Sequence, residues 1–245
     1  MTYNSFAIMG PSVVGKTAVV IDLARKFNGC VIAADSFHYY DKIGLGSWKE
    51  HEAAFNGIPR LLYGILPLDS PIISYDEFYH NAEKARREAI SGGFTPLFEG
   101  CHSGFARHLA GAKNPPASEH GLIGVVVLMP YGINAQKKIK DKVRQRLERY
   151  VQLGIVKEVK NLIESGYSDT VPMRSLLYKH FGDHINGKID LHSAIESTYT
   201  DWLNCVDKQI VQFQTVKNSF RLPVDLDNPE ATLDDLVEFI SLNLR

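Results

Sequence analysis

The segment FAIMGPSVVGKT, residues 6–17, decides the fold. Its first four residues are apolar and predict a short buried strand, and residues 15–27 have the apolar spacing of an amphipathic helix. Between them GPSVVGKT, residues 10–17, matches G-x-x-x-x-G-K-[ST] at every fixed position. The backbone N–H groups of such a turn converge on an anion, and the helix adds the positive end of its dipole. The segment therefore predicts a loop that binds a chain of phosphates.

Two side chains complete this predicted loop. Lys16 supplies a mobile cation for the terminal phosphate, and the hydroxyl of Thr17 suits Mg²⁺. We therefore predict Mg²⁺ as the cofactor, with Thr17 as its protein ligand. The residues predicted to bind the phosphates are Gly10, Ser12, Val13, Val14, Gly15, Lys16 and Thr17.

The composition is that of an ordinary globular protein. Among 245 residues, 44% are hydrophobic and 22% charged, and the formal net charge of −1 provides no basic field that would attract nucleic acid or a membrane. The three cysteines form no CxxC pair, which disfavours a zinc site or a disulfide framework and fits a reducing cytoplasm. No apolar run approaches the ~18 residues of a spanning helix, and the N-terminus lacks the features of a secretion signal. We predict a cytoplasmic protein without a membrane partner.

Short apolar runs alternate with helical patterns through the first half of the chain. This alternation predicts an α/β fold of the P-loop NTPase type, a parallel sheet with helices on both faces. After Pro130 the pattern is helical, with a capping box at Thr232 and Asp235 before the last helix. We therefore predict an α/β core over residues 1–130 and a helical cap over residues 131–245 that completes the same domain, with a surface loop at 113–121. The predicted strands are 6–9, 30–34, 96–98 and 123–129, and the predicted helices are 15–27, 76–91, 133–165, 173–187, 191–215 and one from about 232.

Acidic residues follow two of these strands, at the sheet edge where ligands bind. Asp35 follows the second strand; a carboxylate beside a phosphate site repels phosphate but can accept a proton from an attacking nucleophile. Its alternative role is to cap the next turn, and Ser36 beside it can orient an acceptor. Glu99 ends the third strand and suits either a metal shell or a turn. The strand at 123–129 ends without an acid, which disfavours a nucleotide-driven motor or switch.

Several blocks together resemble the isopentenyltransferase family. GPSVVGKT, the ADS that ends the second strand, PRLLYGILPLD at 59–69 and the segment at 73–100 occur in that family's order. RQRLERYVQLGIVKEVKNLIESG at 144–166, MRSLLYKH at 173–180 and a Lys208-Gln209 pair continue it. The family contains tRNA dimethylallyltransferases and shorter adenylate dimethylallyltransferases.

The resemblance implies that the loop holds the diphosphate of dimethylallyl diphosphate, and that the carbon chain is transferred to the N6 amine of adenine. It implies a general base at Asp35, diphosphate and metal contacts at Lys16 and Thr17, and a further diphosphate contact at Arg146. An arginine fork suits that contact because it bridges two oxygens. His102 suits a second base, a phosphate contact or a surface position. The predicted contacts to the acceptor are Ser36, Arg60, His102, Arg174 and Tyr178.

Departures from the family pattern bear on the acceptor. About twenty residues separate Gly100 from Ile123, too few for the helical insertion with which the tRNA-modifying members embrace the anticodon arm. We therefore predict an adenine nucleotide, AMP, ADP or ATP, as acceptor in a cytokinin-type synthesis, and do not expect tRNA as a partner. Leu176-Leu177 stand where the adenylate-using members have Asp-Gly, so tRNA adenosine or another small amine remains an alternative acceptor.

Two other classes of protein also carry such a loop. A P-loop small-molecule kinase shares the loop, the acid after the second strand and an arginine-bearing lid, and everything before residue 55 fits one. A non-catalytic nucleotide-binding protein is the third class, although the intact Lys16, Thr17 and Asp35 favour an enzyme.

Overall fold

The computed structural model describes residues 2–47, 53–111 and 122–244. The helices and strands occur in the order β1 (Tyr3–Met9), α1 (Lys16–Lys26), β2 (Gly29–Ala33), β3 (Arg60–Leu61), α2 (Tyr75–Ser91), β4 (Thr95–Gly100), α3 (Ser103–Leu109), β5 (Leu122–Tyr131), α4 (Ala135–Leu153), α5 (Ile155–Glu164), α6 (Leu176–Ile185), α7 (Leu191–Phe213), β6 (Phe220–Asp225) and α8 (Pro229–Asn243). No helix in these described ranges is long and apolar enough to cross a bilayer.

The strands form one six-stranded parallel sheet in the order β3-β2-β4-β1-β5-β6. β1 lies between β4 and β5, with Met9 opposite Gly100 on one side and Val127 on the other. Because all strands point the same way, the turns after β1, β2 and β4 meet at one edge. The predicted α/β fold with a parallel sheet is confirmed.

Helices cover both faces of this sheet, as predicted. One apolar core contains side chains of α1, α4 and α8, including Val20, Val143 and Leu236. The other contains side chains of α2 and α3, including Phe78 and Phe105. Burial of both faces explains why the central strands are apolar throughout.

The turn after β1 depends on two glycines. Gly10 has φ +154°, and a Cβ there would lie 2.5 Å from the carbonyl oxygen of Leu128, so no larger residue fits between β1 and β5. Gly15 has φ 87° and precedes the first residue of α1, Lys16. Between them Val13 has φ 64°, an uncommon value for a β-branched residue. The loop is thus a strained turn held by the strand and helix on its two sides.

The C-terminal half differs in detail from the prediction. The helix predicted at 133–165 is two helices, α4 and α5, because Gly154 adopts φ 95° and ends the first. The capping box predicted at Thr232 and Asp235 is wrong: α8 begins at Pro229, so Thr232 is a buried residue inside the helix. The loop predicted at 113–121 lies outside the described residues.

Three elements were not predicted: β3, α3 and β6. β6 extends the sheet beside β5, and α8 packs on it. Residues 131–245 therefore contribute a strand to the sheet as well as the helices α4, α6 and α7, which lie over its carboxyl edge and carry one side of the cavity described below.

Candidate active site

The phosphate-binding loop is closed on itself by its lysine. The Nζ of Lys16 donates a hydrogen bond to the carbonyl oxygen of Pro11 at 2.6 Å, and the side chain is almost fully buried. Burial lowers the pKa of Lys16, although the negative groups nearby, among them Glu99 and Asp35, act in the opposite direction. The ammonium group thus lies inside the loop, where a bound anion would meet it.

Asp35 follows β2 and has hydrogen-bond donors on both carboxylate oxygens. Oδ1 accepts from the backbone N–H of Phe37 at 3.0 Å, so the residue does cap the next turn. Oδ2 accepts from Sγ of Cys101 at 2.6 Å and from its backbone N–H at 3.4 Å. Burial raises the pKa of Asp35, but His38 and the donors from Cys101 and Phe37 outweigh it, so the pKa lies below its ordinary value. Asp35 is therefore a carboxylate at neutral pH and can accept a proton.

A second buried carboxylate lies against the first turn of α1. Glu99, at the end of β4, accepts a hydrogen bond from the Thr17 hydroxyl at 2.8 Å and another from Tyr63 at 3.3 Å. Glu99 lies within β4 and not in a turn, and the metal shell stays a prediction for it. No group of three or more His, Cys, Asp or Glu side chains that could hold a metal occurs within residues 2–47, 53–111 and 122–244.

These groups line a single cavity of about 510 Å³ between the sheet edge and helices α4, α6 and α7. The phosphate-binding loop and the two acids lie at its polar end. The residues predicted from sequence that line it are Ser12, Val13, Gly15, Lys16, Thr17, Asp35, His102 and Arg146. Two other predicted loop residues do not line it, because Gly10 packs against Leu128 and Val14 is buried in the core.

Three residues of the basic run of α4 differ in where they lie. Lys142 and Arg146, one turn apart, line the cavity. Arg144 instead forms a bidentate pair with Glu196, with nitrogen–oxygen distances of 2.6 and 2.9 Å. Arg146 therefore lines the same cavity as the phosphate-binding loop, and its contact with diphosphate stays a prediction.

Of the residues predicted to contact the acceptor, only His102 lines this cavity in the described part of the chain. His102 caps α3, and burial lowers its pKa although Asp35 acts to raise it. Ser36 lies in the turn after Asp35. Arg60 lies on the edge strand β3, with its guanidinium group over the ring of Phe55.

The other two predicted acceptor contacts lie away from the cavity. Arg174 is exposed and donates to the carbonyl oxygen of Asp169, and Tyr178 is fully buried and donates to Glu158. Glu158 also accepts hydrogen bonds from the backbone N–H groups of Gly44 and Leu45. It therefore connects the loop at residues 44–45 to Tyr178 on α6. The geometry gives Tyr178 a structural contact in place of an acceptor contact.

In the remaining wall of the cavity, the part contributed by α7 was not predicted as a site. The wall is mostly apolar and comes from α4, α6, α7 and the turn after β2. On α7 the contributing residues, Trp202, Cys205 and Gln209, recur at i, i+3 and i+7, a spacing that places them on one helix face and that the sequence already contains. The other members of this wall are Phe37, Tyr150, Leu176 and Leu177.

Comparison with known proteins agrees with this geometry. The family model described as isopentenyl transferase matches residues 3–97, and the one described as IPP transferase matches residues 106–215. Proteins named tRNA dimethylallyltransferase from Macrococcus caseolyticus and Staphylococcus saprophyticus are 25% and 24% identical. Each alignment covers 97% of this chain, with 95% and 96% of those proteins respectively.

Solved structures share the fold. The tRNA isopentenylpyrophosphate transferase of Bacillus halodurans superposes with a TM-score of 0.80 at 19% identity, over 97% of this chain and 95% of that one. A eukaryotic dimethylallyltransferase acting on tRNA superposes with a TM-score of 0.77 at 16% identity, over 98% of this chain and 80% of that one.

The two matched segments together span most of the chain, which belongs to the isopentenyltransferase family. The fold prediction and the predicted enzyme class, a dimethylallyl (isopentenyl) transferase, are confirmed at the level of this family. The prediction of an adenine nucleotide acceptor in cytokinin synthesis is wrong, as is the expectation that tRNA is not a partner, because the relatives are named for tRNA. The alignment with the Macrococcus protein runs over 301 positions against 245 residues here, so a shorter chain still matches tRNA-modifying relatives almost end to end.

Proposed function

We propose that this protein transfers the dimethylallyl group of dimethylallyl diphosphate to the exocyclic N6 amine of an adenosine in tRNA. The observation that carries the proposal is that the phosphate-binding loop and the buried carboxylate of Asp35 line one cavity. A leaving group and a proton acceptor are thereby brought into one cavity. The tRNA acceptor is supported by the relatives named tRNA dimethylallyltransferase.

The donor's diphosphate binds in the loop. The Ser12 N–H is donated to the side chain of Gln209, so backbone N–H groups between Val13 and Thr17 bind its oxygens, and Lys16 and Arg146 neutralise its charge. As the C1–O bond breaks, negative charge grows on the diphosphate and positive charge on the allylic carbon. Fixed cations at the diphosphate favour this charge separation and therefore lower the barrier.

The apolar wall accommodates the carbon chain and limits water. Trp202, Leu176 and Leu177 line the same cavity as the loop. Water that reached the allylic carbon would compete with the amine and consume the donor as an alcohol. Apolar burial of that carbon thus protects the transfer.

Asp35 completes the reaction as general base. The N6 nitrogen attacks C1, the C1–O bond breaks, and diphosphate leaves with the bonding electron pair. One N6 proton passes to the carboxylate, which its hydrogen bonds keep ionised at neutral pH. The products are the N6-dimethylallyl adenosine and free diphosphate.

Mg²⁺ fits beside the loop because the hydroxyl of Thr17 and the carboxylate of Glu99, both hard oxygen donors, meet there. When bound, it would neutralise charge on the leaving diphosphate. Thr17 and Glu99 are the residues that we assign to it. We also place the protein in the cytoplasm, where a tRNA acceptor and reduced cysteines are at hand.

The test is incubation of the protein with dimethylallyl diphosphate, Mg²⁺ and an unmodified tRNA transcript, followed by digestion and mass spectrometry of the nucleosides. An adenosine that gains one five-carbon unit is the expected result. Parallel reactions with AMP and with ATP labelled in its γ-phosphate serve as controls. Prenylation of AMP without tRNA product, or transfer of the labelled phosphate, would overturn the proposal.

A further inference from the structure

We propose that Gln209 is a positioning residue, which fixes the distance between the phosphate-binding loop and the turn that holds the general base. Its side chain enters the cavity from α7 and bridges two backbone groups on the sheet edge. Oε1 accepts a hydrogen bond from the backbone N–H of Ser12 at 2.8 Å, and Nε2 donates to the carbonyl oxygen of Cys101 at 3.4 Å. The inference rests on the proposed function, because it concerns the same reaction.

The bridge lies where the sheet no longer fixes the two turns. The last paired residues of β1 and β4 are Met9 and Gly100, and beyond them the loop and the turn at Cys101 leave the ladder. The carboxamide of Gln209 connects the two turns directly after that point. A carboxamide suits this task because it carries an acceptor and a donor on one rigid planar group.

The far end of the bridge reaches the base through one residue. Cys101 accepts from Gln209 through its carbonyl oxygen and donates to Oδ2 of Asp35 through Sγ and its backbone N–H. A displacement of Cys101 therefore displaces a donor of the catalytic carboxylate. The connection runs from the loop that binds the leaving group to the atom that receives the proton.

The reaction is sensitive to this distance. The loop fixes the diphosphate, and hence the carbon attached to it, while Asp35 fixes the amine that attacks that carbon. Misplacement of reacting groups by about 1 Å costs about 100-fold in rate. Loss of the bridge should therefore lower kcat while the affinity of the loop for diphosphate changes little.

Gln209 can be replaced without detaching its helix. Near the end of α7, Gln212 accepts a hydrogen bond from the hydroxyl of Ser103 at 3.0 Å, and Thr215, just beyond the helix, accepts from Arg107 at 3.3 Å. These contacts anchor α7 on α3 outside the cavity. Gln212 is thus a matched control: a glutamine on the same helix, with a side-chain contact to the same part of the fold.

The experiment compares Gln209→Met, Gln209→Glu and Gln212→Met on an unmodified tRNA transcript. We expect Gln209→Met to lower kcat about 10- to 100-fold, with KM for dimethylallyl diphosphate within about threefold of the parent, and Gln212→Met to retain kcat. A protonated glutamic acid carries one acceptor and one donor, like glutamine. The kcat of Gln209→Glu relative to the parent should therefore rise as the pH falls from about 8 to about 6.

Loss of the bridge should also expose the turn. Alkylation of Cys101 by iodoacetamide, followed by peptide mass spectrometry, should be several-fold faster in Gln209→Met than in the parent and in Gln212→Met. The alkylation rate can be measured without turnover, so it tests the bridge even if the parent does not modify tRNA. Failure of the parent to modify tRNA would refute only the proposed function. An unchanged kcat, a flat pH ratio for Gln209→Glu, or equal alkylation rates would overturn the inference.

Discussion

The thiol Sγ of Cys101 lies 2.6 Å from Oδ2 of Asp35 and donates a hydrogen bond to it. A donor to a carboxylate stabilises the ionised form, and this contact helps to keep the pKa of Asp35 below its ordinary value although burial raises it. The cysteine is therefore a determinant of the pH range in which the base is active.

Cys101→Ala should raise the pKa of Asp35, because one donor to the carboxylate is lost. A higher pKa means that the base is protonated sooner as the pH falls, so the acid limb of kcat/KM should move to higher pH while the rate at about pH 8 changes little. Cys101→Ser is the matched variant, since its hydroxyl keeps a donor, and its acid limb should stay near that of the parent. If the acid limbs of kcat/KM for Cys101→Ala and Cys101→Ser coincide, the thiol does not determine the pKa of Asp35.

Asp35→Asn should remove the proton acceptor and keep the local fold. The amide oxygen still accepts from the N–H of Phe37, so the cap of the turn is retained. Turnover should fall ~10²-fold or more, the range for loss of a general base. Binding of dimethylallyl diphosphate, measured by isothermal titration, should be preserved. Asp22→Asn, on the exposed face of α1, is the control; a parent-like rate for Asp35→Asn would refute the base.

Lys16→Ala should act on the donor instead. The ammonium group inside the loop is a charged partner of the diphosphate, and its loss should weaken binding of dimethylallyl diphosphate about 10- to 100-fold. Isothermal titration measures the change directly. Lys26→Ala, at the other end of the same helix, removes a charge outside the cavity and should bind the donor like the parent. Equal affinities for the two variants would exclude Lys16 from diphosphate binding.

The sequence predicts the polar end of the cavity well because that end is built from local patterns. The phosphate-binding loop is one continuous segment, and Asp35 follows a strand directly, so neither requires knowledge of distant contacts. Arg146 is found through the family resemblance and lines the cavity as expected. In such cases the neighbouring residues in the sequence determine where the side chain lies.

The parts that were missed depend on contacts between distant residues. β6 contains Pro223 and few buried residues, a pattern that a strand tolerates only at the edge of a sheet. Pairing with β5 places β6 at that edge. Tyr178 is removed from the cavity by Glu158, a partner on another helix. The prediction of the acceptor is wrong because it depends on the short segment between Gly100 and Ile123, which concerns the length of the chain and not the cavity.

The least obvious assignment concerns Glu99, which ends β4 and accepts a hydrogen bond from the Thr17 hydroxyl at 2.8 Å. If these two oxygens hold Mg²⁺ beside the diphosphate, Glu99→Gln should weaken metal binding about 10-fold or more, by analogy with the loss of a supporting carboxylate. The readout is electron paramagnetic resonance of Mn²⁺ titrated into the protein with inorganic diphosphate, which needs no turnover.

Two variants separate a metal contact from general loss of charge or structure. Glu88→Gln removes a carboxylate on the exposed face of α2 and should leave Mn²⁺ affinity unchanged. Tyr63→Phe removes only the donor to the other oxygen of Glu99 and should cost less than Glu99→Gln. A carboxylate that only supported the fold would affect the binding of diphosphate equally with and without Mn²⁺. If Glu99→Gln weakens the binding of diphosphate alone as much as the binding of diphosphate with Mn²⁺, the metal role is refuted.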